Sequence, residues 1–202
     1  MKIKNFVFTA LFAAISFAAL AQDEEEKAGF KKENLFTGGN LTLQFGNRIT
    51  TLGLSPYFGY SVNKFIDVAA SLNFNYTSQR DYAVMDDKVR QTIYGPGTFV
   101  RLYPVKFLFA QAQYEFNFIK QRYIQPGYPD QKETFDAHSF LIGGGYAGGR
   151  EQGSNSFYYF SVLWDIGKNQ YSPYKDYLRR AVPIFRAGYN VGLFQGKRRG
   201  GN

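Results

Sequence analysis

From Leu35 onward, apolar residues recur at every second position in eight separate runs, and no other feature constrains the fold as strongly. A helix repeats every ~3.6 residues, so alternation at a period of two means strands with two chemically distinct faces. The third run is the clearest: Ile66, Val68, Ala70, Leu72, Phe74 and Tyr76 alternate with Asp67, Ala69, Ser71, Asn73, Asn75 and Thr77. Comparable runs begin near Asn40, Thr51, Tyr94, Leu108, Ser139, Tyr158 and Phe185.

Which face turns inward decides the class. A soluble barrel or sandwich, lipocalin-like, buries its large apolar face and wets the other. Here the polar face is rich in Gly, Asn, Gln and Ser, with Arg101, Glu115, Asp165 and Arg186 in mid-strand, and it carries few lysines. Those charges suit a narrow polar lumen, with glycine making room for long side chains. The other face is almost wholly Leu, Val, Ile, Phe, Tyr and Ala, as contact with lipid requires, and each run is close to the about 9–11 residues that cross a bilayer as a tilted strand. The expected fold is all-β: an eight-stranded antiparallel up-and-down transmembrane barrel, polar inside and apolar outside. Tyr57, Phe99, Tyr103, Tyr159 and Leu163 also fall on the inward face, and Tyr60, Tyr76, Tyr94, Tyr146, Tyr158 and Tyr189 are candidates for interfacial girdles.

The connections point the same way. Links near residues 63–64, 105–106 and 149–155 are short, whereas those at 78–91, 120–136 and 167–180 are long and polar; the first, near 47–48, is short. Short turns on one side and longer loops on the other put both termini on the periplasmic side. The start of the chain agrees: Lys2 and Lys4 precede the apolar residues 6–20, and Ala19-Leu20-Ala21 offers a small-x-small cleavage pattern. The expected organisation is a signal peptide at 1–21, a flexible periplasmic leader at 22–34, the barrel at 35–194 and a basic periplasmic tail at 195–202. Loss of Lys2 and Lys4 takes the net charge from +8 to +6, and the absence of cysteine excludes a lipoprotein and thiol chemistry.

Over the signal peptide and residues 35–194 the chain resembles the small eight-stranded outer-membrane β-barrels, typified by the membrane domain of outer membrane protein A and its porin-superfamily relatives. The resemblance implies residence in the bacterial outer membrane, contact with its lipids and lipopolysaccharide, and handling by the barrel-assembly machinery. Arg186, Gly188, Val191 and Leu193 fit the spacing of the assembly signal, with the departure that residues 195–202 follow it.

Some barrels of this size act on lipid A with a His and a Ser two residues apart. The only histidine is His138, position 140 is Phe, and Ser139 points to the opposite face, so no catalytic residue is expected. The Gly-rich string from Gly143 to Gly148 lacks a following helix to cradle phosphate, and no cofactor or nucleic acid is expected. Arg101, Glu115, Asp165 and Arg186 are expected to form an internal polar network, Asp165 facing Arg186 across a hairpin, in a lumen plugged by side chains. The expected role is non-enzymatic, envelope-structural or surface-binding; a proton or ion path, a barrel that passes or binds a small or hydrophobic solute and, third, a lipid A-modifying enzyme are the alternatives. The long loops mix Tyr123, Tyr128, Tyr171, Tyr174 and Tyr177 with cations; Lys120, Arg122, Arg179 and Arg180 are candidates for lipopolysaccharide phosphate or a surface partner protein.

Overall fold

A computed structural model describes residues 30–46, 48–150, 155–176 and 178–194. The expected signal peptide, residues 22–29 of the leader and the tail at 195–202 lie outside the described residues. Eight strands close in chain order into one antiparallel barrel: β1 (Leu35–Gly46), β2 (Ile49–Asn63), β3 (Ile66–Arg80), β4 (Lys88–Val105), β5 (Leu108–Ile124), β6 (Gln131–Gly148), β7 (Phe157–Asp165) and β8 (Ile184–Gly192). β1 pairs with β8, setting Thr42 opposite Arg186, so the sheet closes on itself.

Burial follows residue parity. Asn40, Thr42, Gln44, Asn73, Gln113 and Asn117 are buried, while their neighbours Leu41, Leu43, Leu72, Phe74, Tyr114 and Phe118 are exposed. The polar face is thus the inner one and the large apolar face the outer one, the reverse of a soluble barrel. On β3 the apolar outer residues run from Ile66 to Tyr76 before Ser78 and Arg80 take over. Of the six candidate girdle tyrosines, Tyr60, Tyr146, Tyr158 and Tyr189 lie toward the short-turn end; Tyr158 and Tyr189 stand directly opposite each other. Tyr76 and Tyr94 lie toward the other end, on neighbouring β3 and β4.

The interior is layered. At the short-turn end Phe36, Tyr57, Phe99, Tyr103, Phe109, Phe157 and Tyr159 pack together. Glycine makes this possible: a Cβ at Gly59 would stand 2.3 Å from the Phe36 ring, and one at Gly188 would stand 2.5 Å from the Tyr159 ring. Polar side chains fill the middle. Toward the long-loop end Ile93, Ile119 and Ala137 form one apolar group and Leu141, Leu163, Tyr174 and Ile184 another.

Two of the expected long loops are largely strand. β3 and β4 pair as far as Arg80 and Lys88, leaving 81–87 as the loop, and β5 and β6 pair as far as Tyr123 and Gln131. The alternation continues through these hairpin tips between two kinds of polar residue, glutamine inward and cations outward, so apolar periodicity stops while the ladder does not. Among the described residues, the link from β7 to β8 is the one long loop; it carries an isolated bridge between Lys175 and Ala181, and Tyr174 within it turns into the lumen.

Candidate functional site

β5 runs Gln111, Gln113, Glu115 and Asn117 up the inner wall, one residue per inward position, and these side chains bond to one another in sequence. Gln111 Nε2 donates to Gln113 Oε1 and Gln113 Nε2 to Glu115 Oε1, both at 2.8 Å. Arg101 joins the lower end, its Nε donating to Gln111 Oε1 at 2.8 Å. Arg186 reaches across from β8 and donates to Gln113 Oε1 at 2.7 Å and to Glu115 Oε1 at 2.8 Å, a fully buried ion pair. The other carboxylate oxygen of Glu115 accepts the Tyr174 hydroxyl at 2.6 Å and Asn117 Nδ2 at 3.3 Å.

Tyr174 belongs to the β7–β8 loop. Counted above with the surface tyrosines, it is instead completely buried, and Asn75 Nδ2 donates to its hydroxyl at 3.2 Å. Ser172 anchors the same loop on Ser139, 3.0 Å between hydroxyl oxygens. The loop therefore presses a tyrosine into the barrel and caps the polar ladder. An isolated Tyr amid Ser, Pro and Lys has no periodic signal, which is why sequence reasoning missed it.

At the short-turn end arginine packs on aromatic rings. The Arg101 guanidinium lies 4.0 Å from the Tyr159 ring centre, 4.6 Å from Phe99 and 5.1 Å from Phe109. Arg150 lies 3.7 Å over Tyr103 and 3.8 Å from the buried Asp67, and donates to the Lys64 carbonyl at 3.1 Å. Asp67 was legible as an inward residue; Arg150, in a turn, gave no sign of its role. Arg101, Arg150 and Arg186 thus balance Asp67, Glu115 and Asp165 across the interior.

Asp165 stands apart from the ladder, which corrects the expected pairing with Arg186. In the β7–β8 register Arg186 faces Ser161, and the pairing ends at Leu163 and Ile184, short of Asp165. Asp165 Oδ1 accepts the backbone N–H groups of Gly167 at 2.8 Å and Phe140 at 3.1 Å, holding the start of the long loop.

The four candidate surface cations divide. Lys120 and Arg122 are not loop residues but outward members of β5, beyond its apolar stretch. Arg90, Arg122 and Lys132 stand opposite one another across β4, β5 and β6, a row of three cations; Arg122 also donates to Asp130 through Nε at 2.7 Å. Lys120 lies 5.6 Å over the Tyr94 ring. Arg180 is paired with Asp176 at 2.8 Å, and Arg179 sits on left-handed backbone, φ 60°. In the loop at 81–87, the Asp87 carboxylate accepts the backbone N–H groups of Tyr82, Ala83 and Val84 and the Tyr123 hydroxyl. Burial raises its pKa, but these hydrogen bonds outweigh it and hold the carboxyl below its ordinary value of 3.8.

His138 faces outward, bonded to the Tyr114 hydroxyl and 4.9 Å from the Phe116 ring centre, whereas Ser139 points into the lumen. The glycines from Gly143 to Gly148 lie within β6. Arg186 and Gly188 face inward, Val191 outward, and Leu193 donates its N–H to the Leu35 carbonyl at 2.8 Å.

No protein-family model and no curated protein matches the sequence. Among solved structures, the chain is similar to Ail, the attachment invasion locus protein of Yersinia pestis, solved with the heparin analogue sucrose octasulfate (TM-score 0.46, 9% identity, 78% of this chain and 96% of that one). It is also similar to the N-terminal β-barrel domain of Pseudomonas aeruginosa OprF (TM-score 0.45, 12% identity, 79% and 98%). Neisserial surface protein A gives a TM-score of 0.38 at 15% identity over 79% and 96%. The strand register itself establishes the architecture: an eight-stranded, antiparallel, up-and-down β-barrel with a polar interior and an apolar exterior, the layout of the small outer-membrane barrels.

Proposed function

We propose that the protein is a non-enzymatic barrel of the bacterial outer membrane, with an envelope-structural or surface-binding role and a lumen plugged by its own side chains. The inversion of the barrel carries this reading. Leu, Phe, Val and Tyr wrap the outside of all eight strands, a surface that water does not tolerate over such an area, while ion pairs and amides occupy the inside. Export, cleavage after Ala21 and insertion by the assembly machinery through the β8 signal belong to the same proposal.

The cation row of Arg90, Arg122 and Lys132 supports a role at an anionic leaflet. Like charges placed directly opposite on neighbouring strands repel, and phosphate groups spaced along the rim relieve that repulsion. The Glu115–Arg186 pair beneath Tyr174, and Arg101 and Arg150 among the rings at the other end, support the plug. Fractionation of cells should place the mature chain in the outer membrane with a mobility that changes on heating, and purified protein in planar bilayers should give no large-solute conductance. Steady large conductance would refute the plug; recovery of a folded, soluble periplasmic protein would refute the membrane reading.

A further inference from the structure

At the long-loop mouth, the β7–β8 loop and the extended hairpins enclose an open cup of about 280 Å³. Gln79, Gln91 and Gln121 line one side from three neighbouring strands, Gln91 lying directly opposite Gln121. Phe135 and Tyr171 line another, their ring centres 5.5 Å apart and their planes at 52°. Ser172 and the loop that buries Tyr174 complete the lining.

The charged groups of the cup are mostly used up internally. Lys175 Nζ donates to the carbonyls of Gly167 and Asn169, and the Asp176 carboxylate is taken by Arg180. The amides are not. Gln91 Nε2 donates to Gln121 Oε1 at 2.7 Å, which leaves the Gln91 carbonyl oxygen and the Gln121 amide hydrogens for a ligand. Gln79 is only 9% exposed and has no side-chain hydrogen bond among the described residues. Its amide opens onto the cup, so a polar ligand there can take its donor and acceptor in place of water.

Neutral amides that present a donor and an acceptor together match adjacent hydroxyl groups, and aromatic faces match the C–H side of a sugar ring. The volume falls just below the usual range of roughly 300–1,000 Å³ for small-molecule sites, enough for one ring with its substituents. We infer that the cup binds a single pyranose unit of a glycan, its hydroxyls held by Gln79, Gln91 and Gln121, its apolar face on Phe135 and Tyr171, and an acidic substituent, where present, on Arg179. This gives a ligand class to the surface-binding role and rests on the long-loop mouth facing outward.

The test uses the full mature chain refolded in detergent, with saturation-transfer NMR and calorimetry against methyl glycosides of hexoses, N-acetylhexosamines and uronic acids. At least one class should bind in the millimolar range or tighter. Gln91→Leu and Phe135→Ala should each weaken that binding about tenfold or more while the heat-dependent mobility stays normal, and Arg179→Gln should weaken uronic acids more than neutral sugars. No binding by any of the glycosides, or binding indifferent to Gln91→Leu and Phe135→Ala alike, would overturn the site. Oligosaccharide released from lipopolysaccharide and oligosaccharides of foreign origin, titrated separately, decide whether the unit comes from the envelope itself. Protease cleavage of residues 168–180 on intact cells checks orientation independently: cleavage without glycoside binding defeats the site alone, and protection with binding defeats the outward orientation alone.

Discussion

Replacing Glu115 by Gln tests the ladder at its centre with almost no change of shape. The carboxylate accepts from Arg186, Gln113, Tyr174 and Asn117. Glutamine retains one acceptor oxygen for Arg186 and Gln113, and its new amide can donate to a Tyr174 hydroxyl that turns round. Most of the loss is therefore the charge. Charge centres about 4 Å apart attract by roughly 4 kcal/mol at an effective dielectric of ~20. Desolvation of both ions largely cancels that gain when the pair forms. It does not cancel when only one partner is removed, because Arg186 then remains buried, charged and unpaired, at a cost of about 3–5 kcal/mol.

The assay is equilibrium urea unfolding of the refolded barrel in phospholipid vesicles, followed by fluorescence of Trp164, the sole tryptophan, which lies on the exposed outer face. E115Q should lower the unfolding free energy by about 3–5 kcal/mol. R186M alone should also be strongly destabilising, while E115Q/R186M should lose about 2–3 kcal/mol less than the sum of the singles, because neither charge is left stranded. A loss below ~1 kcal/mol for E115Q, or strict additivity of the two substitutions, would refute the ladder as a coupled unit.

Tyr174→Phe keeps the ring and removes the hydroxyl that Glu115 accepts, so hydrogen exchange at residues 166–176 should accelerate and brief small-ion conductance events should become more frequent in planar bilayers. Gly59→Ala places a methyl 2.3 Å from the Phe36 ring and 2.6 Å from the Val68 carbonyl, and should cost about 1–3 kcal/mol by urea unfolding, partly restored by Phe36→Leu. Because the folded pKa of Asp87 lies below 3.8, its contribution to the loop at 81–87 is complete above that value and is lost only as pH falls through the lower folded value. Amide exchange at Tyr82, Ala83 and Val84 should stay protected from neutral pH to about pH 4 and open below it, whereas Asp87→Asn should open the loop at neutral pH; loss of protection already near pH 6 would contradict the assignment. Substituting Arg90, Arg122 and Lys132 together by Ser should reduce thermal stabilisation by added lipopolysaccharide, with the difference shrinking as salt rises.

Strand number, parity and the inversion of the barrel were legible because lipid and lumen impose opposite chemistries on alternate residues. The signal survives even where the inward residue is Phe99 or Leu141, since the outward neighbours Val100 and Phe140 remain apolar. It fails where both faces are wet. Gln91 beside Thr92, or Gln121 beside Arg122, has no apolar contrast, so these paired segments carry no strand signature in sequence. Residues whose roles depend on three-dimensional return, Tyr174 through a long loop and Arg150 through a turn, gave no periodic trace at all. The expected pairing of Asp165 with Arg186 fails for a related reason: opposite charge suggests proximity, but the register between β7 and β8 is set by side-chain parity and by where the ladder ends.

The two ends of the lumen solve different problems with the same kinds of residue. At the short-turn end, arginine is buried against rings, and glycine at positions such as 59 and 188 gives those rings their space. A planar, weakly hydrated cation tolerates that environment better than an ammonium would, which accounts for Arg at 101 and 150 in a barrel whose lysines are elsewhere. At the long-loop end a loop is held by hydrogen bonds, Tyr174 to the Glu115 carboxylate and Ser172 to Ser139. The neutral Ser172–Ser139 bond is worth about 1 kcal/mol and the charge-assisted Tyr174–Glu115 bond about 1.5–3 kcal/mol, so the loop hangs chiefly on Tyr174. The loop that borders the glutamine cup is thus tied to the charged centre of the ladder through a single hydroxyl.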